Sequence, residues 1–424
     1  MPPRSDFSTD LSLTRRHLVL GAGALGLTAM GGPALARKIA RPKRFLLGAD
    51  ISWLPQMEAA GATFFENGVQ KDALAIFRDF GFNAIKLRLF VNPENGYSRG
   101  RSGPDGPWGG LEQSIAFAKR IKSAGFVYSA TLHYSDTWAD PQHQVKPTAW
   151  ANLPFPRLVD AVHDYTAHTF QAMKRAGVAP ELAILGNETT FGMLWPEGRV
   201  PLTVSTGNPE TDKANMSVAD AGGWDNFAAL LRAAVAATRA VLPGVPIVVH
   251  NHLGRHWPIV RNWTDNLLVR GVHFDAVGFS CYQQKTEGDW AHTFDEFSKR
   301  YPDKGFLALE YSARKRYLND LVHSHPKGWG AYIWEPINTQ EAIFVKNGVN
   351  AGGGPKPDLL SQGLNPAEAP GSKPVSSAPA PPARRGFGGR FDADPQFLQL
   401  YCQMARDYGV QPAKPISFRT AGAH

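Results

Sequence analysis

The sequence predicts an α/β fold in one domain, a (β/α)8 TIM barrel. Three observations predict it. Short apolar or β-branched runs alternate with longer stretches of helical spacing; there are eight such pairs; and most of the runs end in a polar or aromatic residue. Alternation of this kind implies a parallel sheet. Right-handed crossovers then leave an open doubly wound sheet or a closed barrel, and eight repeats favour the barrel. No glycine-rich phosphate fingerprint follows the first run, which disfavours a dinucleotide-binding fold.

The elements follow in order. Phe45–Asp50 is the first strand candidate, and Val69–Phe80 has helical spacing up to Gly81. Ala84–Leu89 reads as a strand, Leu111–Ala124 as a helix ending at Gly125, and Val127–His133 as a strand. Leu158–Ala176 is a long amphipathic helix closed by Gly177, and Leu182–Asn187 is a strand. The rhythm continues with helix Trp224–Leu242, strand Pro246–His250, helix Trp257–Arg270, strand Asp275–Ser280, helix Trp290–Arg300 and strand Gly305–Glu310. A weak helix at Tyr317–Ser324 leads to strand Gly328–Trp334, and Asp394–Tyr408 is the last helix. Tyr97–Gly110 reads as a long surface loop. Residues 352–389, rich in Pro, Ala, Ser and Gly, read as a flexible insert in a catalytic barrel spanning residues 45–415.

With 424 residues, 43% of them hydrophobic, the chain can bury a large core. The net charge of +8 is concentrated at one end: the first 44 residues carry +6 and the rest only +2. A near-neutral body offers no electrostatic footprint for nucleic acid. Arg15-Arg16 precede an apolar run from Leu18 to about Met30, and Ala34-Leu35-Ala36 offers a small-residue cleavage site. Residues 1–36 therefore read as a twin-arginine export signal, with a periplasmic or extracellular destination. An N-terminal membrane anchor is the alternative; the run is short for one, and no stable membrane insertion is expected after signal removal. Cys281 and Cys402 are the only cysteines, and two buried free thiols are expected rather than a disulfide. A monomer is expected.

Catalytic groups of such barrels sit at the C-terminal ends of strands. The ends here read Asp50, Arg88, His133, Asn187-Glu188, His250, Tyr282, Glu310 and Trp334-Glu335. Glu188 ends the fourth strand and Glu310 the seventh, so the two can face one cleft from opposite sides. Glycoside hydrolysis uses such a pair: one carboxyl protonates the departing oxygen while the other attacks the anomeric carbon or activates water. The plainer reading is that each glutamate ends its strand in an ion pair.

The block His133–Gln144 holds two His, two Asp and aromatic rings. It reads as a sugar subsite, with His133, Asp136 and Trp138 as binding residues. A metal site of His133, Asp136, Asp140 and His143 is a weaker reading, because the spacing fits no zinc pattern; no metal and no cofactor is assigned. Arg88 is placed to orient a catalytic carboxylate, or else forms a structural salt bridge. Among the tryptophans, Trp138 and Trp334 at strand ends are the best candidates to line a groove. Of His250 and His252, one histidine, His250, is expected to face the cleft.

Taken together, these segments resemble glycoside hydrolase family 53, the arabinogalactan endo-β-1,4-galactanases. The resemblance is carried by Gly48-Ala49-Asp50-Ile51-Ser52, Leu87-Arg88-Leu89, the His133–Trp150 block, Gly186-Asn187-Glu188, Leu194-Trp195-Pro196-Glu197-Gly198 and Trp334-Glu335-Pro336. It implies a retaining hydrolase of β-1,4-galactan with Glu188 as acid/base and Glu310 as nucleophile. It also implies that Arg88, Asn187 and Tyr282 position Glu310 or the sugar. The runs Thr189-Thr190-Phe191 and Tyr311–Arg316 depart from the family pattern and bear on substrate choice. Another retaining β-glycanase of the same clan, a sugar-binding protein without catalysis and a metal-dependent hydrolase are the alternatives.

Overall fold

The computed structural model describes residues 41–97, 106–282, 289–339, 342–346, 349–350 and 386–410. The export-signal expectation for residues 1–36 and most of the 352–389 insert lie outside them.

Eight parallel strands close into a barrel: β1 (Leu46–Asp50), β2 (Ala84–Leu89), β3 (Val127–Leu132), β4 (Leu182–Leu185), β5 (Ile247–Asn251), β6 (Ala276–Ser280), β7 (Gly305–Tyr311) and β8 (Gly328–Trp334). Closure is made by β8 against β1, from Leu46 opposite Gly330 to Asp50 opposite Trp334. Nearly every barrel-strand residue is buried, as expected of strands covered on both faces. The barrel interior is filled by Leu46, Ala84, Leu182, Ile184, Val248, Ala276, Leu307, Leu309, Trp329 and Tyr332. Gly48 is required there: a Cβ on it would lie 2.4 Å from the Tyr332 ring. That ring crosses the lumen to place its hydroxyl 2.8 Å from Ser129 Oγ.

The helices cover the outside. Phe155–Arg175 and Gly223–Val241 bury the apolar faces that their periodicity implies. Side-chain caps from Asp72, Asp289 and Asp394 satisfy free N–H groups at the starts of three others.

Two expectations need correction. The stretch read as one helix from Val69 begins with a strand, Val69–Lys71, and the helix starts only after the Asp72 cap, at Ala73. The tail of the insert, Gly389–Ala393, is also a strand. Both belong to a second sheet, in the order Val349–Asn350, Phe344–Lys346, Gly389–Ala393, Ala62–Glu66 and Val69–Lys71. Its members come from the segments after β1 and after β8. Phe64, Phe344 and Phe391 pack together, with centroids 5.6 Å and 6.0 Å from Phe64. Cys281 is buried and Cys402 only half-buried; both are free thiols.

Candidate active site

Side chains alternate along a strand, so Lys86 and Arg88, two apart on β2, share the barrel interior with Asp50 of β1. Lys86 Nζ lies 3.3 Å from Asp50 Oδ2 and 3.1 Å from Glu310 Oε1. Arg88 Nη1 lies 3.4 Å from Asp50 Oδ1, and Arg88 Nη2 donates to Glu335, the residue after β8. Glu335 also accepts from the Trp53 amide at 3.0 Å. A buried chain of acidic and basic side chains in alternation thus runs Glu310–Lys86–Asp50–Arg88–Glu335.

Alternation alone would send Glu310 to the wrong side. Leu307 and Leu309 face the lumen, and Ala308 packs with the outer core. The register breaks between Phe279 opposite Ala308 and Ser280 opposite Glu310, leaving one extra residue on β7. This bulge turns Glu310 inward beside Leu309. There its carboxylate meets Lys86, and Tyr282 OH donates to Oε2 at 2.9 Å.

Glu188 follows Gly186, whose φ is +83°, and itself adopts the left-handed region at φ 47° and ψ 48°. That conformation is uncommon for a side chain other than glycine and is typical of functional turns. Ser280 Oγ lies 2.5 Å from Glu188 Oε1. Because Ser280 is the ladder partner of Glu310, the two glutamates meet across one serine.

The environments of the carboxyls differ. Burial, and then the charge of Glu310, push Glu188 well above the ordinary glutamate range. Burial also raises Glu335, to about 8, against the pull of Arg88. Burial acts on Asp50 in the same sense, but Arg88 and Lys86 outweigh it and hold Asp50 low. The Tyr282 phenol is raised by burial and then by Glu310 and Glu188, so it stays a donor. Burial, helped by Arg88 and Lys86, keeps His133 neutral, and burial with Lys86 does the same for His250.

The remaining candidates divide. His133 Nδ1 accepts from the Ala139 amide at 3.2 Å, which places the ring proton on Nε2. Asn187 donates from Nδ2 to the Ala139 carbonyl at 2.8 Å, and its Oδ1 faces His250 Nδ1 at 3.2 Å. His252 turns to Thr190 instead, 2.7 Å from its hydroxyl. Trp138 and Trp334 stand with Trp53 around the Arg88 guanidinium, 4.5, 5.7 and 5.7 Å from the respective ring centroids.

Two roles differ from expectation. Arg88 pairs with Asp50 and Glu335, and the cation on Glu310 is Lys86, which sequence reasoning missed. Asp136 is spent on its own loop, accepting from the amides of Asn92 at 3.0 Å and Thr148 at 2.9 Å. Asp140 and His143 likewise pair with each other, at 2.9 Å. Ser280 was also missed, and Glu335 was read only as a strand end; a polar residue at the mouth of β6 was the available signal for Ser280.

Comparison with known proteins agrees with this geometry. Residues 46–320 match Glycosyl hydrolase family 53. A protein from the bgaB 5′ region of Niallia circulans is 32% identical over 70% of this chain and 84% of its own length. An arabinogalactan endo-β-1,4-galactanase of Humicola insolens is 31% identical over 68% of this chain and 88% of its own. Among solved structures, the GH53 catalytic domain of Ignisphaera aggregans aligns with a TM-score of 0.62 and 26% identity, covering 85% of this chain and 96% of that one. A fungal β-1,4-galactanase aligns with a TM-score of 0.58 and 26% identity, over 69% and 90%. A closed barrel carrying a glutamate pair at the ends of β4 and β7, matched over most of its length, places this chain in glycosyl hydrolase family 53.

Proposed function

We propose that the protein is an endo-acting β-1,4-galactanase that cleaves galactan or arabinogalactan by double displacement. The observation that carries the proposal is the meeting of Glu188 and Glu310 across Ser280, with opposite electrostatic surroundings. Burial favours a protonated Glu188, whereas an ammonium and a phenol both point at the oxygens of Glu310. An acid and a nucleophile need this kind of difference. In the first step a Glu310 oxygen bonds to the anomeric carbon, the glycosidic C–O bond breaks, and the departing oxygen takes the Glu188 proton. In the second, Glu188 takes a proton from water, the resulting hydroxide bonds to the anomeric carbon, and the ester to Glu310 breaks.

Support for galactan comes from relatives such as the Humicola insolens enzyme, named for that activity. Asn187 and His250 stand behind Glu188 through Ser280, and the half-buried Trp138 offers an aromatic face to a sugar ring. Product analysis on galactan, arabinogalactan, mannan, xylan and cellulose tests the reading. Short β-1,4-galacto-oligosaccharides from the first two, with none from the others, are expected. Equal action on xylan or mannan would favour a different glycanase of the same clan.

Residues 1–36 serve, on this reading, as a twin-arginine export signal, so that the enzyme works in the periplasm or outside the cell as a monomer. The arginine pair, the apolar run and the small-residue site support this. No helix of the described residues is long and apolar enough to cross a membrane. Export of a reporter fused to this segment, abolished by Arg15→Lys with Arg16→Lys, is the test.

A further inference from the structure

A line of hydrogen bonds leads away from Glu188 through Ser280, and its polarity can be deduced by counting donors. It begins at the Ala139 carbonyl, which can only accept. Asn187 Nδ2 lies 2.8 Å from that oxygen, so the amide is oriented with Oδ1 toward His250. Reversing the amide would set two oxygens against each other. His250 Nδ1, 3.2 Å from Oδ1, must therefore carry a hydrogen. Burial and the nearby Lys86 hold the imidazole neutral, so Nε2 is a bare acceptor. Ser280 Oγ lies 3.0 Å from it and must supply the hydrogen there. A hydroxyl has one hydrogen. With it committed to His250, the 2.5 Å contact between Ser280 Oγ and Glu188 Oε1 is satisfied only when Glu188 donates.

We propose that Ala139, Asn187, His250 and Ser280 form a one-way hydrogen-bond wire that holds Glu188 protonated in the free enzyme, with Ser280 and His250 as positioning residues for the acid. Ionising Glu188 forces the Ser280 hydroxyl to turn round, which leaves His250 Nε2 without a donor. With Glu188 as the donor the wire adds to burial in favouring the acid form, whereas a Ser280 hydroxyl donating to Glu188 would oppose burial. The other charged or titratable groups facing Glu188 are Glu310 from β7, Asp140 from the loop after β3, Lys86 from β2 and Tyr282 after β6, whose hydrogen is given to Glu310. Those facing His250 are Lys86, His252 and His133. None of these supplies an alternative hydrogen to Ser280. The catalytic consequence rests on Glu188 being the acid; the wire itself does not.

The pH dependence of kcat/KM reports the free enzyme's acid, and Ser280→Ala separates two models by sign. If the wire runs as deduced, loss of the hydroxyl removes a bond made by the protonated form, and the alkaline limb moves down by on the order of one pH unit. If Ser280 is an ordinary donor to a carboxylate, the limb moves up by a similar amount, and the proposal is overturned. A purely structural effect would lower the rate at every pH without moving the limb, and this also overturns it. Neutron diffraction on deuterated crystals of the unaltered protein gives a second test that needs no variant. Deuterium on His250 Nδ1, on Ser280 Oγ toward Nε2 and on Glu188 Oε1 is expected; deuterium on His250 Nε2 contradicts the wire. Activity of Glu188→Gln is measured alongside: full activity there sinks the acid assignment, while the neutron result still stands or falls alone.

Discussion

Lys86 Nζ lies 3.1 Å from Glu310 Oε1, and neither side chain is more than 3% exposed. An ion pair at that depth is not obviously stabilising, because both charges lose their hydration. Its value is to hold the carboxylate in one place, with Tyr282 fixing the other oxygen. Removing one partner leaves a buried charge uncompensated. Lys86→Met is expected to destabilise the protein by about 3–5 kcal/mol and to lower kcat, and adding Glu310→Gln should restore much of the stability but none of the activity. Urea denaturation of the single and double variants measures this. Simple additivity of the two destabilisations would show that the pair is not coupled.

Glu335 offers a pH test. Its folded-state value of about 8 lies above the ordinary 4.5. The stability that its neutral form contributes is therefore complete below about pH 4.5 and is lost as the pH rises through about 8. Relative to Glu335→Gln, the natural protein should lose on the order of 5 kcal/mol across that window. Denaturation midpoints of the two proteins from pH 4 to pH 9 would show the curves diverging; parallel curves would place Glu335 in its ionised form throughout.

Asp136 should behave as a structural residue. Its carboxylate accepts from two backbone amides, so Asp136→Ala leaves both without that partner. A loss of about 2–3 kcal/mol in stability is expected, with KM for the polymer changed less than threefold at temperatures where the variant is folded. A large rise in KM with unchanged stability would return Asp136 to the sugar site.

The barrel was legible because eight apolar runs must each be covered by a helix, and that demand repeats along the chain. The glutamate pair was legible because charge at the end of an apolar strand needs a wet cleft or a partner. What carried no local signal was long-range. The strand Ala62–Glu66 pairs with Gly389–Ala393, more than three hundred residues away in sequence. Val69 continues a helical spacing that the Asp72 cap interrupts. The bulge on β7 has no mark in Leu307-Ala308-Leu309-Glu310, where strict alternation puts Glu310 with Ala308 rather than in the lumen. Lys86 hides inside the apolar run Ile85-Lys86-Leu87; its spacing of two from Arg88, which puts both cations on one face of the strand, was the unused signal.

Arg88 is held among Trp53, Trp138 and Trp334 while it pairs with Asp50 and Glu335. Trp138, the half-buried member, covers the guanidinium most closely. Trp138→Ala should raise KM for galactan about tenfold, corresponding to about 1.4 kcal/mol, and leave the pH dependence of kcat in place. Steady-state kinetics over a pH range check both. An unchanged KM would remove Trp138 from the substrate surface.

The proposed double displacement through Glu310 would fix the stereochemistry of the first product. Proton NMR during hydrolysis of a β-1,4-galacto-oligosaccharide, followed before mutarotation, should show the β-anomer of the new reducing end first. Appearance of the α-anomer first would mean that water attacks directly, and would contradict a covalent intermediate on Glu310.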